Sequence, residues 1–460
     1  MAFSRASARI TLGCALSTLA GCATYTQHPL DLHAEAKNAV SDLRHGETLP
    51  ARLALADVER LTLDNNPELV AVRAQRGIAE AQLRTAGILP NPVLNMSYAD
   101  VLSGPGTFAA LAGGLAQDLK ALVTLSSRRH AADAAAQSVD AAVLWQEWQT
   151  VGKARLAAVD VIKGEKQLTL LRSNAALWRE RLQRNRQALE QGDATLVTLA
   201  PDVVAGSDAQ KQFDDFERAQ KTRRRDLNAL LGLSPTAVLD LTEDVILPPV
   251  DADAIRSQLP DLVNRRPDLI ALQLGYRSQE EKVRGAVLAQ FPLFSLGYAY
   301  GRDTSNVRTL GPQITMDLPV FDRNQGNISQ EQATREQLHA EFNARLIAAK
   351  SEVEGLLADQ ALLQGQLAGK RALLEQMAPV AERAQVAFRQ GDIDERSYVD
   401  LVAAHNLKQQ EILALQLVQL EQQVAIATLI GAGMPHTQMP GTNTQPPVAG
   451  GQTESAEIKP

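Results

Sequence analysis

The densest run of side chains able to do chemistry is QGDIDERSYVD, which holds Asp392, Asp394, Glu395, Arg396 and Asp400. Four carboxylates crowded on a short stretch repel one another unless they are paired or bind cations, and Arg396 is the nearest cation able to form a bidentate bond with one of them. Which acid pairs with Arg396, Asp394 or Asp400, is left open by the spacing. The bland alternative is a solvated helix start, where acids are favoured by the helix dipole. Nothing else offers catalysis. The seven histidines (28, 33, 45, 130, 339, 405, 436) are scattered, with no pair at metal-ligand spacing. There is no Walker loop, HExxH, GxSxG or CxxC, so an enzyme reading has no residues to stand on, and no metal or cofactor is expected. Lys221–Arg225 is basic, but helical geometry spreads such a run around the surface as a solvated face.

A second chemical feature is Cys22. Arg5 and Arg9 precede an apolar stretch, Ile10–Ala20, and Leu19-Ala20-Gly21-Cys22 has the form of a bacterial lipoprotein box. The reading is a signal peptide over 1–21 and lipid on the Cys22 thiol as the mature N-terminus. Cys14 lies in the part removed, so no disulfide is expected. Ala23 after the cysteine favours the outer over the inner membrane. Losing Arg5 and Arg9 leaves 44 basic against 53 acidic residues, an acidic balance that gives nucleic acid no purchase.

The elements that position these groups occur twice. Asn65–Ala99 reads NNPELVAVRAQRGIAEAQLRTAGILPNPVLNMSYA, and two hundred residues later Arg265–Ala299 reads RRPDLIALQLGYRSQEEKVRGAVLAQFPLFSLGYA. Pro67, Leu69, Glu80, Arg84, Pro92 and Tyr98 meet Pro267, Leu269, Glu280, Arg284, Pro292 and Tyr298. With the offset reduced by one, Gln191-Gly192-Asp193 meets Gln390-Gly391-Asp392, and Leu231-Gly232 meets Ile430-Gly431. A near-constant offset over a whole unit marks a tandem duplication.

Within each unit the period changes. Helix formers run from Pro67 to Ile88. After Pro90 and Pro92 the period becomes two, with Leu94, Met96 and Tyr98 on one face and Asn95 and Ser97 on the other. Strands are expected at about 93–101, 111–119, 293–301 and 310–318. The second is the least regular because of Gly113-Gly114. Odd-numbered residues of the first, third and fourth, including Asn95, Ser97, Ser295 and Gln313, share the small, polar face. Such a strand fits a membrane β-barrel with lipid outside and water inside, and also a half-buried strand of a soluble sheet, the commoner case.

Each unit then continues as a helical hairpin. Ser126–Glu190 contains no proline, and roughly 65 helical residues make a rod about 100 Å long. Trp145 and Trp148 on one face read as packing residues. The breaks at Gly192-Asp193 and Gly391-Asp392 are the hairpin tips, returning through Thr195–Leu231 and Glu395–Ile430, and Pro379 is expected to kink the outgoing helix of unit two. The expected layout is 22–50 an extended N-terminal segment, 51–232 repeat 1, 233–262 a connector, 263–431 repeat 2 and 432–460 a disordered tail. Aromatic residues are only 4% of the chain, so the β part is small and the chain mainly α. No run after the N-terminus reaches the length of an apolar membrane helix. Four strands cannot close, and open edges cannot sit in lipid. If they span a membrane, several chains share one barrel.

Together the NPEL/RPDL helices, LPNP and QFP before the strands, the hairpins broken at QGD and the LLG/LIG ends resemble the TolC-like outer-membrane efflux proteins over about residues 50–431. The resemblance implies a trimer with a twelve-stranded barrel above a periplasmic α-barrel. It also implies a passive exit duct for small substrates in a tripartite efflux system, with a periplasmic adaptor and an inner-membrane, proton-driven transporter as partners. Asp394, Glu395, Arg396 and Asp400 become candidates for a periplasmic gate. LPVFDRNQGNI (Leu318–Ile328) resembles the heavy-metal efflux branch, whereas ALVTLSSRR (121–129) stands where a proline-aromatic turn is usual. The competing expectations are the outer-membrane duct of a type I secretion system and a periplasmic coiled-coil scaffold lipoprotein.

Overall fold

The computed structural model describes residues 25–33, 35–46, 48–292 and 294–432. The signal peptide, Cys22 and all but the first residue of the proposed tail lie outside the described residues. The chain divides into two units, 1–36 and 37–460. The described part of the first is irregular, with one turn in which the His33 N–H donates to Asp31 Oδ1 at 2.9 Å. All that follows concerns the second unit.

Its elements run α1 (Leu55–Asn65), α2 (Pro67–Ala86), β1 (Val93–Ala99), β2 (Ala110–Asp118), α3 (Lys120–Gln191), α4 (Leu196–Leu230), α5 (Ala252–Gln258), α6 (Leu262–Arg265), α7 (Pro267–Leu288), β3 (Phe294–Arg302), β4 (Arg308–Met316), α8 (Gln325–Gln390) and α9 (Glu395–Ile430). The two repeats therefore have the same order: short helix, two strands, very long helix, return helix. Their openings differ in chemistry. At α2, Asn66 caps the helix by accepting from Leu69 N at 3.0 Å, and its Nδ2 donates to the Leu230 carbonyl at 2.9 Å. At α7 the same position is Arg266, which instead makes a buried bidentate pair with Asp268 (3.0 and 2.8 Å) and lies over the Trp145 ring at 4.7 Å.

The longest element, α3, has 72 residues, about 108 Å at 1.5 Å per residue. It packs against α1, α2, α4, α7 and α9, while α8 packs on α7 and α9. Its two glycines sit where neighbours come closest. A Cβ on Gly152 would stand 2.8 Å from Thr428 Oγ1, and one on Gly164 would collide with the amide of Gln220. That amide donates to the Val161 carbonyl at 2.7 Å. Trp148 is buried and donates to the Thr428 carbonyl at 2.9 Å, so the tryptophan pair packs as its spacing implied. Two cores repeat the duplication. Val58, Leu61, Ala154, Ala158 and Leu227 form one, and Leu259, Leu262, Val353, Leu357 and Ile426 form the other.

Several boundaries differ from expectation. The α3 helix begins at Lys120, directly after β2, rather than near Ser126: the Lys120 N–H is held by Asp118 Oδ1 at 2.8 Å and Leu119 N–H donates to the Phe294 carbonyl at 3.2 Å. The corner at ALVTLSSRR is thus helix, whereas the second unit keeps an irregular stretch through Pro319 before α8. The connector contains α5 and a 3-10 turn at Leu259–Asp261 and runs into α6 at its last residue, and its Leu233 and Leu241 bridge in parallel to Lys37 and Leu53. Helical geometry continues through Pro379. One helix, α9, contains an 18-residue window of mean hydropathy 1.3. Its apolar composition is interrupted by Gln416, Gln419 and Gln422, and it packs on α3 and α8.

The strands form one antiparallel sheet in the order β1-β2-β3-β4. Its register sorts the side chains by parity. Leu94, Leu115, Tyr298 and Pro312 are cross-strand neighbours, as are Met96, Gly113, Tyr300 and Leu310. The opposite side carries the rows Asn95, Gly114, Ala299, Gly311 and Ser97, Ala112, Gly301, Thr309. Large side chains on the first face are open to the surroundings, Met96 at 72% and Leu310 at 75% exposure. Close approach of β2 and β3 requires glycine at 297, where a Cβ would overlap the Leu115 carbonyl.

Candidate functional site

Two regions carry the candidate residues, the small, polar face of the sheet and the ends of the two helical hairpins. On the sheet, Asn95 stands opposite Gly114, Ser97 opposite Ala112, Ser295 between Asp118 and Thr315, and Gln313 opposite Gly297. All four lie on one side of the pleat, and a shallow hollow there is lined by Asn95, Ser97, Gly114, Ser295, Gln313 and Thr315. The arrangement offers hydrogen-bonding groups and small side chains along one face of the sheet, with no nucleophile–base pair among these residues.

At the hairpin ends, Gly192 and Gly391 adopt φ of 84° and 82°, a left-handed conformation that glycine reaches without a Cβ clash. Each lets the next residue close the helix: Asp193 N–H donates to the Ala188 carbonyl at 2.8 Å and Asp392 N–H to the Ala387 carbonyl at 2.9 Å. These are Schellman-type ends, and they leave both aspartate side chains exposed.

The four acidic and basic candidates have distinct partners. Asp394 caps α9, its Oδ1 accepting from Ser397 N at 2.6 Å, and that bond holds its carboxyl below the usual aspartate range. Glu395 stands 3.1 Å from Arg184 of α3. Burial pushes its carboxyl up, and Arg184 works against that shift. Arg396 pairs with Asp400 one helical turn on, Nε to Oδ2 at 3.8 Å, with both side chains more than half exposed. Of the two acids open to Arg396, Asp400 is therefore its partner within the chain, while Asp394 is held by the helix backbone.

The strongest bonds here belong to a residue that sequence reasoning missed. Arg181 of α3 is buried and grips Asp202 of α4 with both arms of its guanidinium, Nε–Oδ2 at 2.9 Å and Nη2–Oδ1 at 2.7 Å. Asn185 donates to the same carboxylate. The remaining Nη1 donates to the Arg396 carbonyl at 3.2 Å and stands 3.7 Å from Asp400. One guanidinium thus ties α3, α4 and α9 together beneath the first turn of α9. In sequence Arg181 is one of several arginines in WRERLQRNR. Nothing in that run of the sequence marks which arginine points inward.

Comparison with known proteins fits this geometry. The family model described as outer membrane efflux protein matches residues 259–432, the second repeat. The chain is 25% identical over 253 residues to the pyoverdine export outer membrane protein OpmQ of Pseudomonas putida, covering 53% of each chain. It is 26% identical over 150 residues to outer membrane protein OprJ of Pseudomonas aeruginosa, covering 30% of this chain and 31% of that protein. The second half of the chain is thus similar to the outer membrane efflux proteins. The alignments span about half or less of these relatives' lengths. Over 90% of this chain and 99% of the other, the fold matches that of the outer-membrane channel OprN with a TM-score of 0.68 at 16% identity. A mainly helical, internally duplicated chain with a four-stranded sheet is the fold of these channels.

Removing one partner from a buried, hydrogen-bonded ion pair leaves the other charged and unpaired, at a cost of about 3–5 kcal/mol. Arg181→Ala is therefore expected to lower the thermal unfolding midpoint sharply. Arg396→Ala, which removes an exposed pair, should cost at most about 1 kcal/mol. Differential scanning fluorimetry of the purified variants checks the contrast, and equal shifts would contradict it.

Proposed function

We propose that this chain is the outer-membrane duct of a tripartite efflux system, working as a trimer that passively conducts small substrates handed on by a periplasmic adaptor and an inner-membrane transporter. The observation that carries this reading is the sheet: four strands with a large, exposed apolar face, a small polar face and two edges unpaired within the chain. In lipid every backbone donor and acceptor needs a partner, so only closure against further copies makes such a sheet tenable. Three copies supply twelve strands, an even number within the range of outer-membrane barrels. The long hairpins continuing from the sheet would then form a periplasmic tube, with Gly192, Asp193, Gly391 and Asp392 at its far end. Kinship with OpmQ and OprJ supports the efflux reading over a secretion duct or a scaffold.

The test is chemical labelling in intact outer membranes. Single cysteines at Asn95, Ser97, Ser295 or Gln313, placed in a Cys22-lipidated background, should react with a water-soluble maleimide, and cysteines at Leu94, Leu296 or Ile314 poorly. Equal reaction of both sets would point to a sheet outside lipid.

The anchor forms part of the same proposal. Cys22 would carry lipid and tether the mature N-terminus to the inner leaflet of the outer membrane, as the box at Leu19–Cys22 and Ala23 imply. Intact-mass analysis should show an acylated N-terminal cysteine, while Cys22→Ser should still assemble because the barrel is itself embedded. A free thiol on a differently processed chain would refute the anchor.

For the gate, Arg396 and Asp400 support a resting contact at the tube mouth, repeated three times about one axis. Asp392 and Asp193, exposed at the tips, would favour cations at the entrance. Each exposed pair contributes at most about 1 kcal/mol, so its loss should shift the closed state without unfolding the chain. In planar bilayers Arg396→Ala or Asp400→Ala should raise resting conductance, and neutralising the tip acids should lower cation selectivity. Unchanged traces in all variants would return the cluster to an ordinary charged helix start.

A further inference from the structure

The apolar face of the sheet carries one conspicuous exception. At the end away from the helices, Arg302 of β3 and Arg308 of β4 are direct cross-strand partners. By parity they belong to the face of Tyr98, Leu111, Tyr300 and Leu310, in the row Tyr98, Leu111, Arg302, Arg308. Like charges directly opposite on one face of an antiparallel pair destabilise it. Here nothing in the chain relieves them: among the described residues neither guanidinium lies within ion-pair distance of a carboxylate. The two acids nearby are engaged elsewhere. Asp303 accepts from Ser305 N and Val307 N, each at 2.9 Å, to shape the β3–β4 turn. Asp100 accepts from the Tyr98 hydroxyl at 2.6 Å.

The pair is also held in place. Arg302 Nη2 donates to the Ala109 carbonyl at 3.1 Å, and its Cζ lies 5.9 Å from the centroid of the Phe108 ring. Its charge is therefore positioned by neutral groups and left uncompensated, with Arg308 exposed beside it. On a lipid-facing surface an arginine is costly at the bilayer midplane and nearly free at the interface. Tyr98, Tyr300 and Phe108 nearby supply the aromatic side chains that sit at headgroup level. Two arginines facing each other on neighbouring strands at that depth, neither of them ion-paired, match an anion with several oxygens, and phosphate is the group their planar forks fit best.

We infer that Arg302 and Arg308 form a binding site for the phosphate of an anionic lipid headgroup at the outer rim of the sheet, one site per chain. The site rests on the outer-membrane reading, because it needs the Leu94–Tyr98 face in lipid and the turns at 100–109 and 303–307 towards the outer leaflet. The bound phosphate cancels the cross-strand repulsion and fixes the β3–β4 end, whose turn is the shortest connection in the sheet.

The test uses the full-length trimer purified in mild detergent and incubated with lipopolysaccharide, with phosphorylated lipid retained through gel filtration measured by native mass spectrometry. Wild type should retain it, and Arg302→Gln/Arg308→Gln should retain about tenfold less, the loss expected when charge-assisted bonds are removed. Dephosphorylated lipopolysaccharide should not be retained by wild type, and inorganic phosphate at equal concentration should not displace the lipid. If the double variant does not assemble, the exposed Arg308→Gln alone is read in the same way. Equal retention by wild type and variant overturns the site. Displacement by inorganic phosphate overturns the lipid assignment. Retention unchanged while Arg308→Gln trimers dissociate more readily would assign Arg308 to a carboxylate of a neighbouring copy instead. Failure of the outer-membrane reading would show separately, as wild-type protein that forms no channel in planar bilayers.

Discussion

Among the described residues no strand pairs with the outer edges of β1 and β4, and the rest of the proposed architecture answers to that. A soluble protein blunts such edges with charges, prolines or covering loops. Here the edges bound a sheet whose exposed face is Leu, Met, Tyr and Phe, the opposite of a blunted edge. Under the proposed outer-membrane placement, satisfying the backbone groups of those edges in lipid would demand closure against further copies, and the small opposite face would then surround water. The helices inherit the constraint. Because α3 starts within two residues of β2, the direction of each strand is passed on to a rod about 108 Å long, with no flexible loop to decouple them in the first repeat.

The duplication preserves geometry more strictly than chemistry. Four helices end on left-handed glycines, Gly192, Gly232, Gly391 and Gly431, because every one of those positions needs a reversal that other residues resist. The entrance to the short helix is held by an amide in one repeat and a buried ion pair in the other. Asn66 reaches its own hairpin at Leu230, whereas Arg266 stacks on Trp145 of the other repeat's long helix. The core positions Ala154 and Ala158 become Val353 and Leu357. Small residues on α3 let it take neighbours on several sides, while the larger ones on α8 fill a less crowded surface. Divergence thus made α3 the central rod and α8 a peripheral one.

Much of this was legible in the sequence because it depends on local pattern. Period-two alternation placed Asn95, Ser97, Ser295 and Gln313 on one face, and the structure puts them there. The QGD breaks located both hairpin ends. Strand limits slipped by one or two residues, most at β4, which starts at Arg308 because Asp303 and Asn306 (φ 65°) build a tight turn. The helical corner at Lys120 was missed, since its stabilising contact comes from Phe294 in the other repeat. Arg181 was missed for the same reason. Its partners lie 21 and 215 residues away, and no window along the chain distinguishes a buried arginine from an exposed one.

Arg181 also changes how the acidic cluster works. Sequence alone presents the cluster as four acids around one cation, all exposed and comparable. The structure ranks them. Asp394 serves the helix backbone, Glu395 belongs to Arg184, and Asp400 sits between buried Arg181 and exposed Arg396. A carboxylate shared between a fixed cation and a mobile one can give up the mobile partner without being left alone. The buried side of the arrangement holds α9 to α3 and α4, and only the outer bond is weak enough to exchange. In the proposed tube, a mouth built this way would loosen at its rim while the helices beneath stay joined, its opening pivoting outside the Arg181–Asp202 pair rather than through it.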